Sequence, residues 1–359
     1  MMILFLSIFI HKKVKKKDIE PNVTFLITAY NEEKNIKEKL ENVLSLDYPR
    51  DKLEIIVASD SSNDQTDSIV NNFLPKGVKL FRVEGRKGKT EVQNKAVEAS
   101  CGEIIVFSDA TTLYEKSAIR KIVRNYSDPF VGAVSGRYQY YDPNKTQVGA
   151  GTVSFWDYEN FIKVKQSGIF TITGCCGCIY SVKRKLYTPL PRDIISDLVE
   201  PLTIIEKGYR IIFESEALAY ETTCETFKEE FKMRVRVITR GMRGLLHMKT
   251  LLNPFKHAFV SFQLLSHKVL RWLIPIFLII LYISNFNLIE KNTFFFAFFF
   301  LQTSFYLVAL LSFFLDFLKI RIKIFSLPLY FCLINLASIS ALIRIIFQEK
   351  DITWETIRK

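Results

Sequence analysis

Val23-Thr24-Phe25-Leu26-Ile27-Thr28-Ala29-Tyr30-Asn31-Glu32 is an apolar run that turns polar at its carboxyl end. The β-branched and aromatic content of Val23 to Thr28 predicts a buried strand. The same pattern recurs twice. Leu53 to Ala58 leads to Asp60, and Ile104 to Phe107 leads to Ser108-Asp109-Ala110-Thr111. Helical periodicity fills the intervals. Glu33 to Leu46 carries Ile36, Leu40, Val43 and Leu44 on one face. Ser61-Ser62-Asn63-Asp64 offers caps for a helix to about Phe73. Val78 to Val83 and Gly88 to Ala99 give a further strand and helix. Such alternation predicts an α/β fold, a mostly parallel sheet flanked by helices, with right-handed connections. In open α/β sheets, ligands bind outside the carboxyl ends of the strands. Three polar clusters at three strand ends therefore predict one shared crevice.

The regularity weakens after Lys116. Val131 to Tyr141 has the composition of extended chain, and Gly149 to Lys165 that of a helix. Ser196-Asp197 opens a helical stretch to Lys207. Short strands follow near Arg210 to Phe213 and Ala217 to Ala219. Thr226 to Met248 is a strongly basic helix with Arg234, Arg236, Arg240 and Arg243.

Beyond Asn253-Pro254 the chain becomes greasy. Ala258 to Leu265 is amphipathic, as expected of an interfacial segment. Three apolar stretches then approach or exceed the length needed to span a bilayer: Val269 to Phe286, Thr293 to Leu315 and Phe325 to Phe347. The basic loop Lys319-Ile320-Arg321-Ile322-Lys323 should lie on the cytoplasmic side, and the loop near Glu290 outside. The third stretch carries Asn335, Ser338, Ser340 and Arg344, which also fits a re-entrant or interfacial segment. The expected organisation is an apolar anchor with basic flank (1–17), an α/β domain (18–250), an interfacial segment (251–268), about three transmembrane helices (269–348) and a tail (349–359).

The 359 residues carry a formal net charge of +12. Much of it sits in His11-Lys12-Lys13-Val14-Lys15-Lys16-Lys17, directly after apolar Met2 to Ile10. A basic run beside an apolar segment marks a juxtamembrane flank. The apolar part is too short to span, and its charge order is the reverse of a secretory signal. No nucleic-acid motif accompanies the charge, so membrane lipid rather than nucleic acid is the expected partner. The six cysteines form no disulfide ladder, and Cys175-Cys176-Gly177-Cys178 lacks a second pair for zinc. Free thiols fit a cytosolic domain.

Two nucleotide-binding chemistries fail on required residues. A dinucleotide fold needs G-x-G-x-x-G after the first strand, and Thr28 to Glu32 contains no glycine. A P-loop ending at Gly88-Lys89-Thr90 would need glycine where Val83 stands.

The pattern instead resembles the family-2 glycosyltransferases with the GT-A fold, over roughly Pro21 to Pro275 and more weakly through the membrane part. The resemblance rests on residues 21–33, 55–66 (Asp60), Arg86-Lys87-Gly88-Lys89 with Asn94, and Ser108-Asp109-Ala110-Thr111 at the D-x-D position. Glu229-Glu230-Phe231, Gly208-Tyr209-Arg210 and Ser266 to Trp272 are similar to membrane-bound bacterial members that build exopolysaccharide or lipid-linked glycans.

The resemblance implies a membrane-anchored, inverting transferase of the hexosyltransferase type. It would move sugar from a UDP- or GDP-linked donor to a lipid-linked or polysaccharide acceptor, with its catalytic domain on the cytoplasmic side of the cell membrane. Thr28, Tyr30, Asn31, Glu32, Asp60, Arg86, Lys89 and Asp109 would bind the nucleotide sugar. Asp109 would hold Mg²⁺ or Mn²⁺ on the diphosphate. Asp197 would be the base that deprotonates the acceptor, since a single displacement needs one base. Arg236 and Arg240, one turn apart on a helix face, would touch acceptor or diphosphate. The chain departs from the pattern at Thr111, a weaker metal ligand than the usual second acid. It also has Ser196 before Asp197, and no Q-x-x-R-W motif, which argues against processive synthesis. A polyprenyl-phosphate sugar synthase and a non-catalytic scaffold with a degenerate pocket are the alternatives.

Overall fold

The computed structural model describes residues 2–318, 320 and 322–349. The chain opens with helix α1 (Met2–Phe9), which packs on the later helix formed by residues 147–169. Strand β1 (Val23–Ala29) is buried at every position. Helix α2 (Ile36–Leu44), β2 (Leu53–Ser59), α3 (Thr66–Asn71), β3 (Val78–Arg82), α4 (Lys89–Glu98) and β4 (Ile104–Asp109) then alternate as expected. β1 pairs in parallel with β2 on one side and β4 on the other, and β2 with β3. The register sets Thr28 beside Ala58 and beside Asp109, so the three polar strand exits lie side by side.

The second half is mixed rather than parallel. It adds β5 (Leu113–Tyr114), α5 (Ala118–Val123), β6 (Val131–Tyr141), α6 (Gln147–Ile169), β7 (Tyr180–Lys183), α7 (Ser196–Glu206), β8 (Arg210–Thr222) and α8 (Phe227–His247). The eight-stranded sheet has the order β3-β2-β1-β4-β7-β6-β8-β5. β7 runs antiparallel to both β4 and β6, while β6 and β8 are parallel. The two short strands expected after Arg210 are one strand. A register shift between Gly136 and Arg137 absorbs the extra β8 residues as a bulge. A Cβ at Gly136 would meet the Ala217 carbonyl at 2.8 Å, so only glycine allows this approach.

Among the described residues, three helices are long and apolar enough to cross a membrane. The first is a continuous helical run, Ala258–Asn287, made of α9 (Ala258–Leu264), a π-turn (Leu265–Val269) and α10 (Leu270–Asn287). The boundary expected at 268/269 falls inside this run, because the backbone hydrogen bonding continues through the turn. The others are α11 (Thr293–Phe317) and α12 (Ser326–Ile346). α12 is helical throughout: Asn335 and Ser338 donate back to the Phe331 and Ile334 carbonyls and leave the ladder intact. Its Ala337 and Ala341 pack on Val235, Ile238 and Met242 of α8. Beside them Arg234 donates to Glu230 (2.8 Å) and to the Tyr330 hydroxyl (2.5 Å). Lys319 and Arg321 of the basic loop, and tail residues 350–359, lie outside the described residues.

The N-terminal basic flank is tied into the fold. Lys16 pairs with buried Glu214 at 2.7 Å, and the Lys12 amide donates to the Gly168 carbonyl at 2.7 Å.

Candidate active site

Three turns at the strand ends interlock. Asn31 adopts φ +54°, a left-handed conformation that asparagine tolerates better than most residues. Its side-chain oxygen accepts from the Asn63 amide (3.0 Å), while its own amide donates to Ser62 Oγ (3.2 Å). The Glu32 amide donates to Thr66 Oγ1 at 2.8 Å. Asp60 is fully buried, and its carboxylate accepts from the amides of Lys87 (2.8 Å) and Gly88 (3.1 Å). Asp60 thus shapes the basic turn that follows β3. Arg86 in that turn lays its guanidinium over the Tyr30 ring, 3.7 Å from the centroid. Lys89 reaches across to form an ion pair with Asp109.

Below these ends lies an open cavity of about 370 Å³. Thr28, Glu32, Lys89, Asp109, Asp197, Arg236 and Arg240 all face it. Among the described residues, Tyr30, Asn31, Asp60 and Arg86 stand outside its lining and form the neighbouring turn network.

Asp197 sits in the first turn of α7. Ser196 anchors that turn by donating to Gln93 Oε1 at 2.6 Å, and the Asp197 carbonyl accepts from the Cys175 amide at 2.9 Å. The carboxyl oxygen Oδ1 has no hydrogen-bond partner. Burial raises the Asp197 carboxyl above its ordinary value, and the charge of Asp109 adds to this; Lys89, Lys268 and Lys163 oppose it. A raised carboxyl is a stronger base once ionised. A Cβ at Gly177 would stand 2.7 Å from Asp197 Oδ2, so glycine makes room for the acid.

Arg240 has a positioning geometry. It donates to the Ile194 carbonyl (2.7 Å) and Thr90 Oγ1 (3.1 Å), holding the segment that leads into Asp197.

Two charged residues at the strand ends escaped the linear pattern. Glu221 on β8 faces the cavity and accepts from Thr111 Oγ1 (2.5 Å), Thr112 Oγ1 (3.3 Å) and the Tyr138 hydroxyl. It places a carboxylate beside Thr111, where the motif lacks its second acid. No local signal marks it, since strand pairing alone brings it there. Lys39 is fully buried under the same turn, donating to Ser108 Oγ (2.7 Å) and to the Thr112 carbonyl. Burial pulls its amine down to about 7, against the pull of Asp109, Cys178 and Glu221. Its position on the apolar face of α2, between Ile36 and Leu40, was a visible anomaly.

The donor set at the strand ends suits a hard divalent ion. Asp109 and Glu221 offer oxygen ligands, and a bound diphosphate would complete the shell. Among the described residues no cluster of three acidic, histidine or cysteine ligands forms an all-protein cage.

Residues 24–188 match the family model described as Glycosyl transferase family 2. That stretch holds the three turns and Asp109, and ends before Asp197. The chain is 30% identical over 230 residues to "Probable glycosyltransferase YdaM" of Bacillus subtilis (strain 168), covering 60% of this chain and 54% of that protein. It is 26% identical over 242 residues to "Poly-beta-1,6-N-acetyl-D-glucosamine synthase" of Staphylococcus aureus (strain COL), covering 65% of this chain and 58% of that one. The matches therefore span just over half the length of these curated relatives. Among solved structures, a mannosyltransferase, PcManGT from Pyrobaculum calidifontis in complex with GDP-Man and Mn²⁺, shares the fold. The TM-score is 0.67 at 20% identity, over 97% of this chain and 94% of that one.

Proposed function

We propose that the chain is an inverting, membrane-anchored transferase of glycosyl transferase family 2, whose family model matches residues 24–188. It moves a sugar from a nucleotide-sugar donor to a lipid-linked or polysaccharide acceptor in cell-surface glycan synthesis. The observation that carries this reading is the partnerless oxygen of Asp197, which shares one cavity with the Lys89–Asp109 pair.

The donor's diphosphate lies against Lys89, with its nucleoside toward the turns of Thr28 to Glu32, Asp60 and Arg86. Asp197 takes the proton of an acceptor hydroxyl. That oxygen forms the new bond to the anomeric carbon as the bond to the diphosphate breaks, and the nucleoside diphosphate leaves with the electron pair. One displacement inverts the anomeric configuration. Lys89 offsets charge growing on the leaving group. Asp109 and Glu221 would hold Mg²⁺ or Mn²⁺, and such an ion neutralises diphosphate charge when bound. The fold shared with a structure holding GDP-Man and Mn²⁺ supports both assignments. Arg236 faces the acceptor side, and Arg240 fixes the segment before Asp197. The three long apolar helices among the described residues support a cell-membrane, multi-pass protein, and the charge pattern of its loops supports a catalytic domain in the cytoplasm.

Calorimetry of the full chain in detergent with Mn²⁺, over UDP- and GDP-linked sugars, tests the donor half. One donor is expected to bind, and Asp109→Ala to weaken it about tenfold or more. Failure of every donor to bind would contradict the proposal.

A further inference from the structure

Cys175, Cys176 and Cys178 lie in the loop between α6 and β7, and their thiols take no part in the proposed transfer. All three residues line the cavity. They are free cysteines, and among the described residues no group of acidic, histidine and cysteine side chains could hold a metal. Cys176 is set apart by what stands beside its sulfur. The Lys163 ammonium of α6 donates to Cys176 Sγ at 3.2 Å. Lys163 is itself held over two rings, 5.5 Å from the Trp156 centroid and 5.9 Å from that of Phe213. Cys176 is fixed from the other side. Its amide donates to Ser135 Oγ at 3.1 Å, and its carbonyl accepts from the Ile179 amide at 3.0 Å. A sulfur and a cation are thus locked in contact at the wall of an open cavity.

Thiols react as thiolates, which a neighbouring ammonium favours and apolar burial opposes. Cys175 shows the effect of burial. Its thiol is pushed well above the ordinary value; Lys163 opposes this, while the charges of Cys176 and Asp197 add to it. Lys163 shows the opposite balance. Burial works against its ammonium, yet the charges of Cys176 and then Glu159 hold the proton above the ordinary lysine value. An ammonium that stays charged beside Sγ stabilises negative charge on that sulfur. Cys176 is only 1% exposed, so small reagents reach the sulfur from the cavity and bulky ones do not.

We propose that Cys176 is an oxidant-sensing modification site: hydrogen peroxide converts its thiol to a sulfenic acid, and this arrests transfer reversibly. The arrest rests on the transferase reading; the modification does not. The thiolate sulfur attacks one peroxide oxygen. The S–O bond forms as the O–O bond breaks, so sulfur is oxidised and the peroxide is reduced. The leaving hydroxide takes a proton from the Lys163 ammonium and departs as water. Two molecules of a small thiol reverse the change, giving the Cys176 thiol, a disulfide and water. The added oxygen stands one residue from Gly177, where even a Cβ would meet Asp197 Oδ2 at 2.7 Å. A group enlarged there crowds the base and leaves the strand ends that receive the donor untouched.

The purified full chain in detergent, treated with hydrogen peroxide and then with a small cyclic dione that traps sulfenic acids, tests this by peptide mass spectrometry. Cys176 is expected to be trapped at least about tenfold faster than exposed Cys101. Lys163→Met, melting like the parent, should slow that trapping about tenfold, and Lys163→Arg should restore most of it. Trapping rather than turnover is read in these two variants, because Lys163 also acts on Asp197. In the parent, nucleoside diphosphate release should fall about tenfold or more in peroxide with donor binding retained, and recover with dithiothreitol. Cys176→Ser should keep its release in peroxide. Faster trapping of Cys101, or an undiminished rate in Lys163→Met, would overturn the site. Trapping at Cys176 with release unaffected would overturn the arrest. Absence of release before any peroxide is added, with Cys176 still trapped, would count against the transferase reading alone.

Discussion

At the scale of single residues, the site depends on what stands beside Asp197. Gly177 is there because a methyl group would collide with the carboxylate at 2.7 Å. Gly177→Ala is therefore expected to displace the base and lower kcat by about 10- to 100-fold, with donor KM nearly unchanged. Steady-state kinetics at saturating donor check this; a change confined to KM would place the glycine's role elsewhere. Asp60 and Arg240 teach a related point. Their residue types suggest ligand contacts, yet the first holds backbone amides of the basic turn and the second donates to the Ile194 carbonyl. Sequence indicates that such residues are needed near a site. It does not say whether they touch the ligand or the loop.

At the scale of elements, α7 carries two acids with different fates. Asp197 faces the cavity, while Glu200 is buried against the body of the domain. Burial lifts the Glu200 carboxyl from 4.5 to about 8, although the Thr188 amide and Lys207 work against this. A carboxyl raised in the fold contributes stability that is complete below about 4.5 and is lost as pH rises toward about 8. Glu200→Gln should flatten that dependence and stabilise the protein at pH 8 by on the order of 1 kcal/mol or more. Thermal melts at pH 5 and pH 8 decide it, and parallel curves for parent and variant would refute it. The first four strands and their helices were legible because each buried run is long, regular and bounded by polar turns. β5, β7 and α5 were not. They are two, four and six residues long, and pairing with distant strands defines them more than periodicity does. The single long β8 was hidden by Ser215 and Glu216, which its bulge accommodates.

At the scale of the whole molecule, the α/β half and the greasy half share one cavity. α12 packs along α8 through Ala337 and Ala341, and the buried Arg234, Glu230 and Tyr330 join the two helices. The cavity runs from Asp109 at a strand end to Ile334 and Ser338 on α12. Composition announced both halves, and the order of motifs announced the cluster of polar turns at the strand ends. The shared cavity was not legible, because α10 and α12, which complete its wall, lie more than a hundred residues beyond Asp109 in sequence. The basic flank is also anchored to the domain, since exposed Lys16 pairs with buried Glu214. In the proposed reaction one base, Asp197, drives transfer from a nucleotide sugar in this cavity. Nucleoside diphosphate release from the purified, detergent-solubilised chain, with Mn²⁺ and lipid extract over a donor panel, tests it most directly. Release is expected to depend on one donor and on the lipid, and to fall by about 100-fold or more in Asp197→Asn while donor binding persists. Release that is undiminished in Asp197→Asn would contradict it.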